Sequence, residues 1–295
     1  MLTPEDLARY EVRWEAPVRG SYRGHEVIGG APPDVGGLNL IEVLNIAELH
    51  DIARSGPASE SPETLVHLMG AVSRVLRASA GYGDPRHVPL DIEHILSKDF
   101  ARRRLAEPLA PPPAVAPPGS CHLTVVDAQG NIATALHSTL SMPWANGLFI
   151  DGVSICGAAN HFLRTMPPPG ARVSVLICPN ILLREGRPVL ASGSPSTSLI
   201  ANLVQNITNI VDCGMSVEES VRRASFGGIL DDGRMTIEAD IGAPLLAAVD
   251  SAGIAAERLN PWSFRHGSFE GIHFDSQGTA RACGDPRRTS VAMAA

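Results

Sequence analysis

The chain has no long apolar run, no paired cysteines and no excess of positive charge, and each absence removes a class of function. No window in its 295 residues approaches the ~20 apolar positions of a membrane-spanning helix, so no membrane partner is expected. Five cysteines, Cys121, Cys156, Cys178, Cys213 and Cys283, are odd in number, scattered and free of any CxxC pair. That pattern argues against a zinc site and a disulfide framework, and the reading implies neither a metal nor another cofactor. Lys and Arg number 24 against 31 Asp and Glu, a formal charge of −7, which argues against nucleic acid and anionic lipid. The loop Gly193–Ser198 has no Lys and no Walker spacing, so a phosphate-binding protein is a weak reading. The opening MLTPEDLARY has no apolar signal region, and the default location is the cytoplasm. No internal repeat is present.

What remains is an ordinary globular composition, 44% hydrophobic and 19% charged, enough for a sizeable core in one or two domains. Thr3-Pro4-Glu5-Asp6 predicts a capped helix start. Val12 to Val18 and Tyr22 to Ile28 predict paired strands around Arg19-Gly20-Ser21. Leu38 to Leu49, and a segment beginning at Ser61-Pro62, carry apolar residues at helical spacing and read as core-facing scaffold. Arg102-Arg103-Arg104 reads as a solvated helix end. Arg172 to Ile177, Ile181 to Leu183 and Pro188 to Ala191 predict strands, with a turn over 184–187. Leu199, Ile200, Leu203, Val204, Ile207, Ile210 and Val211 form an apolar stripe on a helix that Gly214 ends. Ser216-Val217-Glu218-Glu219 is a capping box opening a helix through about Phe226, Pro244 to Ala252 predicts another, and the tail after Arg288 looks loose.

The organising stretch runs from Gly119 to Phe162. His122 to Val126 and Ile132 to His137 are β-like, and Asp127-Ala128-Gln129-Gly130-Asn131 separates them with turn chemistry, which predicts a hairpin with Ser120 just ahead of it. The proline-rich run over 111–118 cannot be a helix or a central strand. A hydroxyl where an exposed segment meets a buried strand suits an N-terminal-nucleophile hydrolase, in which the chain is cut before a Ser, Thr or Cys. A plain loop serine fits the same spacing.

Ser120-Cys121-His122-Leu123-Thr124-Val125-Val126-Asp127-Ala128-Gln129-Gly130-Asn131 resembles the start of the small subunit of γ-glutamyltransferases, where a nucleophilic Thr opens the run T-T-H-x-S-V-V-D-x-x-G-N. The resemblance continues through Gly193-Ser194-Pro195-Ser196-Thr197-Ser198, Asp212-Cys213-Gly214-Met215 and Gly284-Asp285-Pro286-Arg287, and covers nearly the whole chain. It implies cleavage between Gly119 and Ser120, with Ser120 as nucleophile and its freed α-amine, of ordinary pKa ~7.7, as base. Cys121 is the competing nucleophile. Thr139 falls, after a one-residue insertion, where the family has a Thr supporting the nucleophile; an ordinary strand-end threonine is the other reading. Ser141 falls where the family has a substrate-contacting Asn. Ser196 and Thr197 replace the two glycines whose backbone amides form the oxyanion hole, and a simple helix cap fits them as well.

The recognition residues depart from the pattern. Val175 and Leu176 stand where the family offers a serine pair for the α-carboxylate, and His161 stands where it offers an aspartate for the α-amine. Two apolar residues cannot hold a zwitterionic head group, so a non-glutamyl acyl substrate is expected. The resemblance implies an α+β fold, the four-layer αββα sandwich of the Ntn type, with residues 1–119 matching the end of the large subunit and 120–295 the small subunit. The family's large subunit extends further toward the N-terminus, which leads us to expect a separately encoded N-terminal subunit as partner. The leading expectation is an amidohydrolase or acyltransferase on a small acyl or amide compound. The alternative is a degenerate, non-catalytic subunit of a two-chain complex.

Overall fold

The computed structural model describes residues 3–109, 120–138, 149–154, 168–196, 198–230 and 232–294. Ser61 accepts the Thr64 amide and Pro62 occupies the first turn, so a helix runs over Pro62–Ala78 with Leu65, Leu68, Met69, Val72 and Val75 fully buried. The helix Gly36–Ala47 is buried along its whole length, and Leu199–Val211 is nearly so. These three helices pack on one another, burying their apolar faces together.

In chain order the strands are β1 (Val18–Tyr22), β2 (His25–Gly29), β3 (Ser120–Val126), β4 (Ile132–Ser138), β5 (Phe149–Ile150), β6 (Val153–Ser154), β7 (Asn180–Arg184), β8 (Arg187–Gly193), β9 (Phe226–Ile229), β10 (Met235–Glu238), β11 (Ala256–Leu259), β12 (Glu270–Phe274) and β13 (Ala280–Ala282). The main sheet has the order β1-β2-β7-β8-β12-β13 and is antiparallel throughout. Its registers align Gly20, Val27, Leu182 and Leu190 in one row across four strands. That row faces the helices: a Cβ on Gly20 would lie 2.3 Å from Ile41 Cγ2. Gly193 is three residues beyond Leu190 on β8 and so lies on the other pleat face. There it meets His122 of the β3–β4 hairpin, which packs against β8 and β12. The layers are therefore helices, six-stranded sheet and hairpin, with β2 and β7 joining the residues before 119 to those after it in one sheet.

Several local expectations change. The first hairpin turns at Arg23 and Gly24, both at positive φ (48° and 77°), rather than over 19–21. Residues 11–17 form no strand, and of 172–177 only Val175 makes a bridge, to Asp34. The capping box at Ser216 is present, but its helix stops at Val221. Phe226 belongs to β9 because the Gln205 side chain bonds both its amide (3.0 Å) and its carbonyl (2.7 Å). Arg104 is not solvated: it is buried and bonds the fully buried Glu42 at 2.8 Å. Among the described residues no helix is long and apolar enough to cross a membrane, and no cluster of His, Cys, Asp and Glu could hold a metal.

Candidate active site

Strand alternation decides which side chains of the hairpin look inward. Ser120, His122, Thr124 and Val126 on β3, and Ile132, Thr134, Leu136 and Ser138 on β4, are half-buried, while the residues between them are exposed. Cys121, the competing nucleophile, therefore points to the opposite face from Ser120, where its Sγ sits 3.9 Å from His137 Nδ1. The ladder Val126↔Ile132 propagates unbroken to Ser120↔Ser138. Ser120 Oγ donates to Ser138 Oγ at 2.8 Å.

Below this pair the hairpin is held by polar contacts. The side chain of His122 is fully buried, with Nε2 2.8 Å from Thr134 Oγ1 and 3.3 Å from Thr124 Oγ1. Its Nδ1 lies 3.4 Å from Glu270 Oε2. Glu270 Oε1 accepts from Ser268 Oγ (3.0 Å) and Ser290 Oγ (2.8 Å). Burial alone would raise the Glu270 carboxyl, but the His122, Ser290 and Ser268 contacts hold it below the usual carboxylate range. Gly193 permits this docking, because a Cβ there would lie 2.2 Å from the His122 ring.

A cavity of about 460 Å³ opens beside Ser120; Pro195, Glu270, Cys283 and Arg288 are also among its walls. Pro195 belongs to the turn expected to supply the oxyanion hole. Ser196 in that turn sends its N–H to the Ser194 carbonyl (3.1 Å), and its Oγ accepts from the Ser198 amide (3.1 Å). Gly267, at φ 72°, makes room for it, since a Cβ there would lie 1.9 Å from Ser196 Cβ. Val175 and Leu176 do not line the cavity: Val175 bridges Asp34, and Leu176 packs against the core. Gly119, Thr139, Ser141, His161 and Thr197 lie outside the described residues.

Sequence reasoning passed over Ser138, Glu270 and Arg288. Ser138 was within reach, since counting back from Val126↔Ile132 across the turn pairs it with Ser120. Glu270 and Arg288 arrive through β12 and the segment after it, and carry no local signal.

A family model described as gamma-glutamyltranspeptidase matches residues 1–295. The chain belongs to the gamma-glutamyltranspeptidase family. Within it, the Acylase ACY 1 proenzyme of Pseudomonas sp. (strain SE83) is 32% identical over 257 residues, 78% of this chain and 44% of that protein. The glutathione hydrolase proenzyme of Pseudomonas aeruginosa is 27% identical, across 99% of this chain and 57% of that protein. The crystal structure of cephalosporin acylase from Bacillus halodurans superposes with a TM-score of 0.79 at 20% identity, covering 97% of this chain and 54% of that one. The fold is thus the α+β Ntn-hydrolase type of this family, and the chain spans about half the length of the relatives it matches.

Proposed function

We propose that this member of the gamma-glutamyltranspeptidase family is the nucleophile-bearing part of an Ntn amidohydrolase or acyltransferase, acting on a small non-glutamyl acyl compound. The observation that carries the reading is Ser120 itself: first residue of β3, inward-facing, hydrogen-bonded to Ser138 and at the wall of the cavity. Cleavage of the Gly119–Ser120 bond leaves Ser120 with a free α-amine. That amine removes the Oγ proton, and Oγ attacks the substrate's amide carbonyl. Collapse of the tetrahedral adduct breaks the C–N bond, the α-ammonium returns the proton to the departing amine, and an ester to Ser120 remains. Water or a second amine, deprotonated by the same α-amine, then attacks the ester and regenerates the serine. The resemblance implies that backbone amides of the turn at Ser196 and Thr197 stabilise the oxyanion.

The outer face of the hairpin, with Leu123 and Val125 each 54% exposed, supports an N-terminal segment, separately encoded or otherwise, packed over it. Matching only 44% and 57% of the two relatives points the same way.

Intact mass of the purified chain, alone and co-expressed with the neighbouring open reading frame, tests the proposal. Two fragments meeting at Gly119/Ser120, lost in Ser120→Ala, are expected. An uncut chain under both conditions leaves the second reading, a non-catalytic subunit, which the engaged Ser196 N–H favours.

A further inference from the structure

The motif Gly284-Asp285-Pro286-Arg287 ends in a buried ionic knot, and the residue after it is turned the other way. Arg287 donates to Glu238 Oε2 (2.6 Å) and Oε1 (3.0 Å), to Asp285 (3.3 Å) and to the carbonyls of Val221 and Arg223. Asp285 in turn accepts the Phe269 amide at 2.9 Å, one residue before β12. With residue 287 fixed inward, Arg288 is directed to the cavity that Ser120 lines.

Arg288 differs from Arg287 in having no carboxylate in contact with it among the described residues. Its guanidinium carbon stacks 4.5 Å above the Phe264 ring, and its Nε is buried without a hydrogen-bond partner. Among the described residues it makes no ion pair. Burial lowers its pKa below the ordinary arginine value, only partly opposed by Glu270 and Asp285 at longer range. Glu270, the nearest acid in the cavity wall, is already occupied by Ser268, Ser290 and His122. A buried donor left unpaired is costly, and a planar guanidinium fork matches a carboxylate bidentately.

Building on the proposed acyl chemistry, we infer that Arg288 is a specificity residue that binds a carboxylate at the far end of the acyl substrate whose amide carbonyl meets Ser120. An α-ammonium next to the Arg288 guanidinium would meet like charge, while Glu270 spends Oε1 on Ser268 and Ser290 and turns Oε2 toward His122, so the site favours a simple acid over an α-amino acid. Val175 and Leu176 lie elsewhere, and the carboxylate is read from the C-terminal side of the fold instead.

The test is binding, which needs no turnover. The full chain carrying Ser120→Ala is titrated calorimetrically with succinate, adipate and suberate, and with adipamide and L-glutamate as controls. At least one dicarboxylate is expected to bind about tenfold or more tightly than either control, and to lose about tenfold in affinity in Arg288→Gln, with Arg288→Lys intermediate. Melting midpoints of the free variants report folding, and Arg288→Lys carries the comparison if Arg288→Gln is unstable. Absence of dicarboxylate binding by the folded chain, or equal affinity in the Arg288 variants, overturns the inference. Self-cleavage of the Ser120 form is scored separately, so a failed nucleophile and a failed carboxylate site give different results.

Discussion

Ser120 and Ser138 face each other at the open end of the β3–β4 hairpin, Oγ to Oγ at 2.8 Å. Ser138 thereby orients the hydroxyl proposed as nucleophile. Ser138→Ala should slow appearance of the two fragments on the order of tenfold, the worth of one hydrogen bond, while Ser138→Thr retains most of the rate. Time-resolved intact mass measures both. An unchanged rate in Ser138→Ala removes Ser138 from the machinery.

Gly193 on β8 leaves room for His122 of the hairpin, whose ring a Cβ at that position would meet at 2.2 Å. Gly193→Ala places a methyl against the imidazole and should destabilise the protein by about 1–3 kcal/mol, as overpacking does. Adding His122→Ala relieves the clash, so the two substitutions should be non-additive in urea unfolding.

The knot formed by Arg287, Glu238 and Asp285 is almost wholly enclosed, with side-chain exposures of 4%, 2% and 4%. Arg287→Met leaves two buried acids without their cation and should cost about 3–5 kcal/mol, read as a lower denaturation midpoint. Arg287→Lys recovers only part of this, because one ammonium cannot satisfy Glu238 and two carbonyls together.

His266 and Asp34 predict opposite pH slopes. Burial pushes the His266 imidazole down to about 4, so its neutral form is favoured in the fold. The stability it contributes is complete above about pH 6.5 and is lost as pH falls toward 4, by up to ~3 kcal/mol. Burial raises the Asp34 carboxyl to about 7, although the amides of Gly36 and Ile177 favour its charged form. Its contribution is present below about pH 4 and is lost as pH rises toward 7. Unfolding free energies across pH 4–7 should show a shallower acid loss in His266→Gln and a shallower loss with rising pH in Asp34→Asn.

Leu123 and Val125 offer the test of the proposed N-terminal partner segment. Leu123→Glu with Val125→Glu lies on an exposed strand face and should leave the melting midpoint within a few degrees. Co-purification with the neighbouring gene product should be abolished. Retained association places the partner elsewhere.

Local order was legible wherever neighbouring residues set it. The hairpin over 120–138 follows from β-branched runs either side of Asp127–Asn131, the helix at Pro62 from its cap and apolar spacing, and the helix at Leu199 from apolar spacing alone, since the Ser198 side chain caps nothing. The first hairpin was misplaced because Gly20 resembled a turn glycine, whereas its role is to admit Ile41 of a distant helix. The helix expected to reach Phe226 stops early because Gln205, 21 residues upstream, captures that residue's backbone.

The same division holds for the site. The motif opening at Ser120 suffices to mark the position proposed for the nucleophile, since strand alternation and turn spacing are short-range and written in consecutive residues. Glu270 beneath His122, the inward lock of Arg287 and the outward turn of Arg288 depend on β12 pairing with β8 and on a buried knot closed between residues 238 and 287. Such contacts form only when folding offsets the loop entropy of bringing remote segments together. The tertiary structure alone therefore decided which charges are neutralised in the core and which one is left facing the cavity.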